Sequence, residues 1–173
     1  TSQLEDGAIT SVKFATGVGG KVGQIKSAIK TDTQSFTTAL TFADITDLSI
    51  AITPSTTSSK FLVGFNVSCG ANTNNQTTYL RAIRDTTPLT VADTAGNRTS
   101  GTNVISVNIN YDLLMASNTL LDEPSTTSEI TYKVQMTSSN TNPAYVNRTG
   151  RDFDSAEYDG RAISTMYVME ILP

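Results

Sequence analysis

Phe61-Leu62-Val63-Gly64-Phe65-Asn66-Val67-Ser68-Cys69 is the stretch that decides how the chain is read. Phe61, Val63, Phe65, Val67 and Cys69 recur at every second position, the period of a strand with one face in a core. A helix would spread these five side chains around its whole circumference. Working outward, the same period returns. Phe36, Thr38, Leu40 and Phe42 share one face, as do Leu48, Ile50 and Ile52, then Ile105, Val107 and Ile109, then Ile130, Tyr132, Val134 and Met136. Threonine between the apolar positions suits strands, because its branched Cβ packs well on a pleated surface.

Turn-forming residues separate these runs: Pro54-Ser55, Asn72 to Asn75, Gly96-Asn97, Pro124-Ser125, Asn140 to Pro143 and Asp159-Gly160. Short strands at regular spacing, without a convincing helical stripe, predict an all-β antiparallel sandwich or barrel. Leu113 to Leu121 reads as a strand or an irregular edge. In the last segment Ile163, Thr165, Tyr167, Met169 and Ile171 share one face, and Met166, Val168 and Leu172 the other. A strand apolar on both faces is covered on both sides. One cover is the core; the other is a neighbouring subunit or the chain's own loops. The expected interface residues are Tyr167, Met169, Met166 and Val168.

Residues 1–20 read separately, as an extended N-terminal arm before a domain spanning 21–173. Leu4, Ile9, Val12 and Phe14 are apolar anchors too sparse for a core strand, and Gly17-Val18-Gly19-Gly20 is a flexible joint. Such an arm docks onto a partner or is a disordered leader. The small Thr1 is what removal of an initiator methionine leaves, an expectation that the chain is nearly complete.

Composition excludes more than it assigns. There are 173 residues, no histidine, one cysteine and a formal net charge of −4. Without histidine, Ser/His/Asp and Cys/His catalysis are closed, together with the commonest metal ligand. One cysteine forbids an intrachain disulfide and any site built on cysteine pairs; on the apolar face of its strand, Cys69 reads as a buried, inert thiol. Scattered basic residues argue against nucleic acid. No apolar run approaches the ~18 residues of a membrane span, and no signal-peptide pattern is found. No cofactor or metal is expected.

One segment could carry chemistry. Arg151-Asp152-Phe153-Asp154-Ser155-Ala156-Glu157-Tyr158-Asp159-Gly160 holds four acids. It is not an EF-hand loop, since Ala156 stands where an oxygen ligand is required and the closing Glu is missing. It reads as a solvated loop or, if it binds anything, as a carbohydrate site made of Asp152, Asp154, Tyr158 and Asp159: Tyr158 stacks on a sugar face while Asp152 and Asp154 accept its hydroxyls. A glycan hydrolase is a distant third class, because only this loop offers two facing acids. Asn97-Arg98-Thr99 and Asn147-Arg148-Thr149 repeat a tripeptide, whose arginines either bind an anion together or pair with Asp93 and Asp152 to fix loops.

Several turn-rich motifs carry a resemblance. Gly20-Lys21-Val22-Gly23-Gln24, Arg84-Asp85-Thr86-Thr87-Pro88-Leu89, Asp93-Thr94-Ala95-Gly96-Asn97-Arg98-Thr99, Leu121 to Ser128 leading into Ile130 to Gln135, and Val146-Asn147-Arg148 are similar to a phage structural domain frequent in marine viruses. Glu5 to Thr10 with Lys13-Phe14 resembles the connector before such domains in tail-fibre-like proteins. The resemblance runs from about residue 4 to the end. It implies a jelly-roll β-sandwich of the kind seen in trimeric knobs of C1q and tumour-necrosis-factor architecture. It further implies a non-enzymatic virion structural protein on the particle surface, homotrimeric and docked to capsid or tail through its arm, with host-surface glycan as a possible ligand. The leader is short and no shaft repeats precede the domain, which favours the competing expectation, a capsid decoration or head-fibre protein with no ligand of its own.

Overall fold

The computed structural model describes residues 21–155 and 157–173. The arm residues Leu4, Ile9, Val12 and Phe14 therefore lie outside the described residues. The elements are β1 (Val22–Lys30), β2 (Gln34–Phe36), β3 (Ala43–Ile52), β4 (Lys60–Ala71), β5 (Gln76–Arg84), β6 (Thr87–Pro88), β7 (Asn103–Val107), β8 (Leu114–Asp122), β9 (Ile130–Ser138), β10 (Ala144–Val146) and β11 (Ser164–Ile171). They form two antiparallel sheets packed face to face as a β-sandwich.

β4 organises the first sheet. It is the longest strand, and the whole period-two face read from the sequence, Phe61 to Cys69, is buried. On one side β4 pairs with β8; on the other it pairs with β11 in its first half and β10 in its last turn. β1 extends the sheet beyond β11, and β2 beyond β10. In the second sheet β9 lies between β3 and β5, and β5 pairs on its far side with β7 and β6. Ile45, Leu48, Ile50, Ile52, Ile130, Tyr132, Val134, Met136 and Leu80 meet Phe61, Val63, Phe65, Val67, Met166 and Val168 in one core. Both long edges are stitched by side chains. Asn103 Nδ2 donates to Ser117 O at 2.9 Å and Asn118 Nδ2 to Thr102 O at 3.0 Å, while Lys26 Nζ donates to Ala51 O at 2.7 Å. These bonds satisfy edge carbonyls that a sandwich otherwise leaves open.

Three sequence expectations are corrected. Phe36 to Phe42 is not one strand: β2 stops at Phe36, and Leu40 is 54% exposed with a left-handed φ of 52°. The chain must leave the first sheet here and turn into β3 of the second, so the alternation sits on a crossover. The expected β3 face of Leu48, Ile50 and Ile52 is buried, and at Asp47 (φ 66°), where the pairing with β9 shifts, the strand brings Ile45 inward as well. β7 ends at Val107, and Ile109 lies beyond it. In β11, Met166 and Val168 belong to the core, so of the four expected interface residues only Tyr167 and Met169 face outward. Leu113 to Leu121 does contain a strand, β8, at the edge of the first sheet.

Candidate functional site

The outer faces of the two sheets differ in chemistry. On the second sheet the outward side chains are polar and paired with one another. Arg81 Nε donates to Gln135 Oε1 at 2.8 Å, Gln135 Nε2 to Asp44 Oδ1 at 2.7 Å, and Lys133 Nζ to Asp44 Oδ2 at 2.8 Å. On the first sheet the strand register aligns Ile25, Met169, Leu62 and Leu121 in one row across β1, β11, β4 and β8. Ile25 is 60% and Leu121 52% exposed, and Met169 and Leu62 are half-buried. The adjacent row holds Ser27, Tyr167, Gly64 and Thr119. Ile29, Val22 and Met115 add further exposed apolar groups along these strands.

The second candidate lies at the end of the sandwich where β4 and β7 finish and β8 and β11 begin. Here the loop between β10 and β11 folds back on the end of β4. Gly150 packs so closely on the Ala71 carbonyl, and Gly70 on the Arg148 carbonyl, that neither position has room for a Cβ. Asn147, Asp152 and Asp159 all take positive φ, which Asn and Asp tolerate better than other side-chain-bearing residues. Asn147 is fully buried. Its amide donates to Lys30 O and Asp32 O, both at 2.9 Å, and accepts from Ser164 Oγ at 2.7 Å. The Asn-Arg-Thr tripeptide at 147 is thus a structural knot.

The acidic loop is built differently from the sequence expectation. Asp159 accepts from Arg151 Nε at 2.7 Å, Thr149 Oγ1 at 2.9 Å and the Phe153 amide at 3.1 Å. The Arg151 guanidinium holds its carboxyl below the usual carboxylate range. Asp152 sits between Arg148 (3.3 Å) and Arg161 (2.7 Å). Both carboxylates brace the loop through ion pairs with arginines. Arg148 pairs with Asp152 as one reading held, whereas Arg98 donates to the Ala95 carbonyl at 3.1 Å and not to Asp93. Asp154 is exposed and makes no ion pair among the described residues.

What the braced loop presents is aromatic. Tyr158 is 60% and Tyr111, from the loop between β7 and β8, 53% exposed. The Arg151 guanidinium carbon lies 5.1 Å from the Tyr111 ring centre and 5.5 Å from that of Tyr158. Tyr111 is a functional candidate that the sequence reading missed, for it stands forty residues from the loop it joins. The loops are tied by Arg151 N donating to Asn110 O at 2.9 Å.

Among the described residues no three His, Cys, Asp or Glu side chains converge as metal ligands, and no helix is long and apolar enough to cross a membrane. The Cys69 thiol is fully buried, which pushes its pKa up to about 12. The arrangement suits binding at two surfaces. No family model and no curated protein matches the chain.

Proposed function

We propose that this chain is a self-associating, non-enzymatic structural module of a virion surface, a jelly-roll knob that assembles as a homotrimer. The observation that carries the reading is the in-register row Ile25–Met169–Leu62–Leu121 on the outer face of the first sheet, set against the hydrogen-bonded polar face of the second. A contiguous exposed apolar patch marks an interaction surface, and its burial contributes about 25 cal/mol per Å² to association. Three copies packed around an axis along the strands cover this face and leave the polar sheet and the aromatic loop end outward.

The strand order β1-β11-β4-β8 facing β3-β9-β5-β7 supports the jelly-roll reading. The virion setting is supported by the resemblance of the turn motifs to phage structural domains. In this reading the arm residues Leu4, Ile9, Val12 and Phe14 dock onto capsid or tail.

The test is native mass spectrometry with sedimentation velocity, on the native chain and on Met169→Glu and Leu121→Lys. The expected result is a trimer for the native chain and folded monomers for both variants. A native chain that stays monomeric at high micromolar concentration overturns the reading.

A further inference from the structure

We infer that Tyr111 and Tyr158, both within 5.5 Å of the Arg151 guanidinium carbon, form a carbohydrate-binding platform that takes a pyranose of an uncharged glycan. The site goes beyond the self-association proposed above and lies on a different part of the molecule. It sits where β8 and β11 begin, while Met169 and Leu121 lie near the ends of those strands.

Three observations lead to this ligand class. First, two large aromatic rings are more than half exposed yet held in place. Both centres are within 5.5 Å of one guanidinium carbon, so they are at most twice that distance apart, within the footprint of a short oligosaccharide. The guanidinium is itself fixed by its Nε bond to Asp159. A platform already ordered loses little entropy on binding. Second, the rim combines polar groups with a further exposed ring, Phe153, which is 64% exposed. Asn74, Asn108 and Asp154 are exposed on this rim, and Asn110 N donates to Asn74 Oδ1 at 3.1 Å, tying a third loop to the platform. A pyranose, with one C–H face for the rings and hydroxyls for amides and carboxylates, matches both parts. Third, the local charge disfavours anions. Asp154 and Glu157 are exposed beside the tyrosines, and Arg151 is committed in part to Asp159. Phosphate backbones and sulfated or uronic chains meet carboxylates at this rim.

The experiment is binding of the fluorescently labelled chain to a printed array of neutral bacterial and animal-type glycans, with Tyr158→Ala, Tyr111→Ala and Tyr158→Phe alongside. Both side chains are at the surface, and circular dichroism confirms folding. The expected result is binding to at least one pyranose class, weakened about tenfold by either alanine, as the loss of one stacking ring implies, and largely kept by phenylalanine. Binding should vanish when the printed glycans are oxidised with periodate. No binding across the array, signal unchanged by both alanine variants, or signal surviving periodate, as a protein contaminant would give, each overturns the inference. Met169→Glu separates the two proposals. If the chain trimerises, this variant lowers the array signal through lost avidity, yet the ratio between the native loop and Tyr158→Ala is unchanged.

Discussion

The ring of Tyr167 on β11 occupies the space where a side chain at Gly64 on β4 would begin, and its hydroxyl reaches Thr119 Oγ1 on β8 at 3.2 Å. The glycine is therefore the seat of an aromatic ring that spans three strands on the outer face of the first sheet, one row from the apolar stripe.

Gly64→Ala displaces that ring. The expected cost is about 1–2 kcal/mol in urea unfolding, as for other insertions into a packed place. In a Tyr167→Ala background the same change is neutral or stabilising by roughly 0.5 kcal/mol, since alanine costs less backbone entropy than glycine in a strand. The pair is tested as a double-mutant cycle, and additive effects would show that the ring and the glycine are not coupled.

Glu170 is fully buried on β11, where Ser55 N (2.6 Å), Ser55 Oγ (2.9 Å) and Gln24 Nε2 (2.8 Å) donate to its carboxylate. Burial pushes its pKa up, but hydrogen bonds from Ser59, Ser55 and Gln24 more than offset that, and the net shift is downward from 4.5. A carboxyl whose folded pKa is depressed adds stability that is present above its unfolded value and lost as pH falls through the folded one. Glu170→Gln is expected to lower the melting temperature by a few degrees at pH 7. The gap to the native chain should narrow as pH drops below about 4.5. Melting curves from pH 7 to pH 3 check this, and a gap that does not depend on pH would contradict it.

Asp122 ties the sheets together. It accepts from Arg84 Nη1 at 2.7 and 2.6 Å and from the Tyr132 hydroxyl at 2.6 Å, and Tyr132 is fully buried. Tyr132→Phe removes one donor and should cost about 1 kcal/mol. Asp122→Ala strands a part-buried guanidinium and a buried hydroxyl, and should cost about 3 kcal/mol. Chemical denaturation of both variants gives the order, and equal costs would mean that the carboxylate is not the hub.

Cys69 is expected to be unreactive toward a disulfide reagent such as DTNB at pH 8 in the folded chain, because burial keeps the thiol protonated far above that pH. Its labelling rate should follow unfolding as urea is added. Rapid labelling under native conditions would show that β4 opens without global unfolding.

Much of the sandwich is legible because β3, β4 and β9 bury one face against the opposite sheet, and a buried face writes its period into the chain. β1 and β5 do not announce themselves in the same way. In β1 the apolar residues Ile25 and Ile29 face outward, while Lys30 is buried with its Nζ donating to Asp32 Oδ1 at 2.6 Å and Thr46 Oγ1 at 2.7 Å. A bulge between Val22 and Ile25 also breaks the alternation. In β5 the inward positions include Gln76 and Thr78, and Gln76 is satisfied by Ser138 Oγ and Asn142 O, both at 2.7 Å. A buried polar residue with distant partners looks from its neighbours alone like a surface residue.

The sequence by itself determined the all-β class, the core faces of β3, β4 and β9, the turns between them and the absence of histidine chemistry, because each depends on residue type and spacing along one strand. Tertiary structure alone decided which outward residues line up across strands, and that Asp152 and Asp159 serve arginines while Tyr111 joins Tyr158. Those relationships depend on strand register and on loops folded together from distant parts of the chain, and local spacing carries no trace of either.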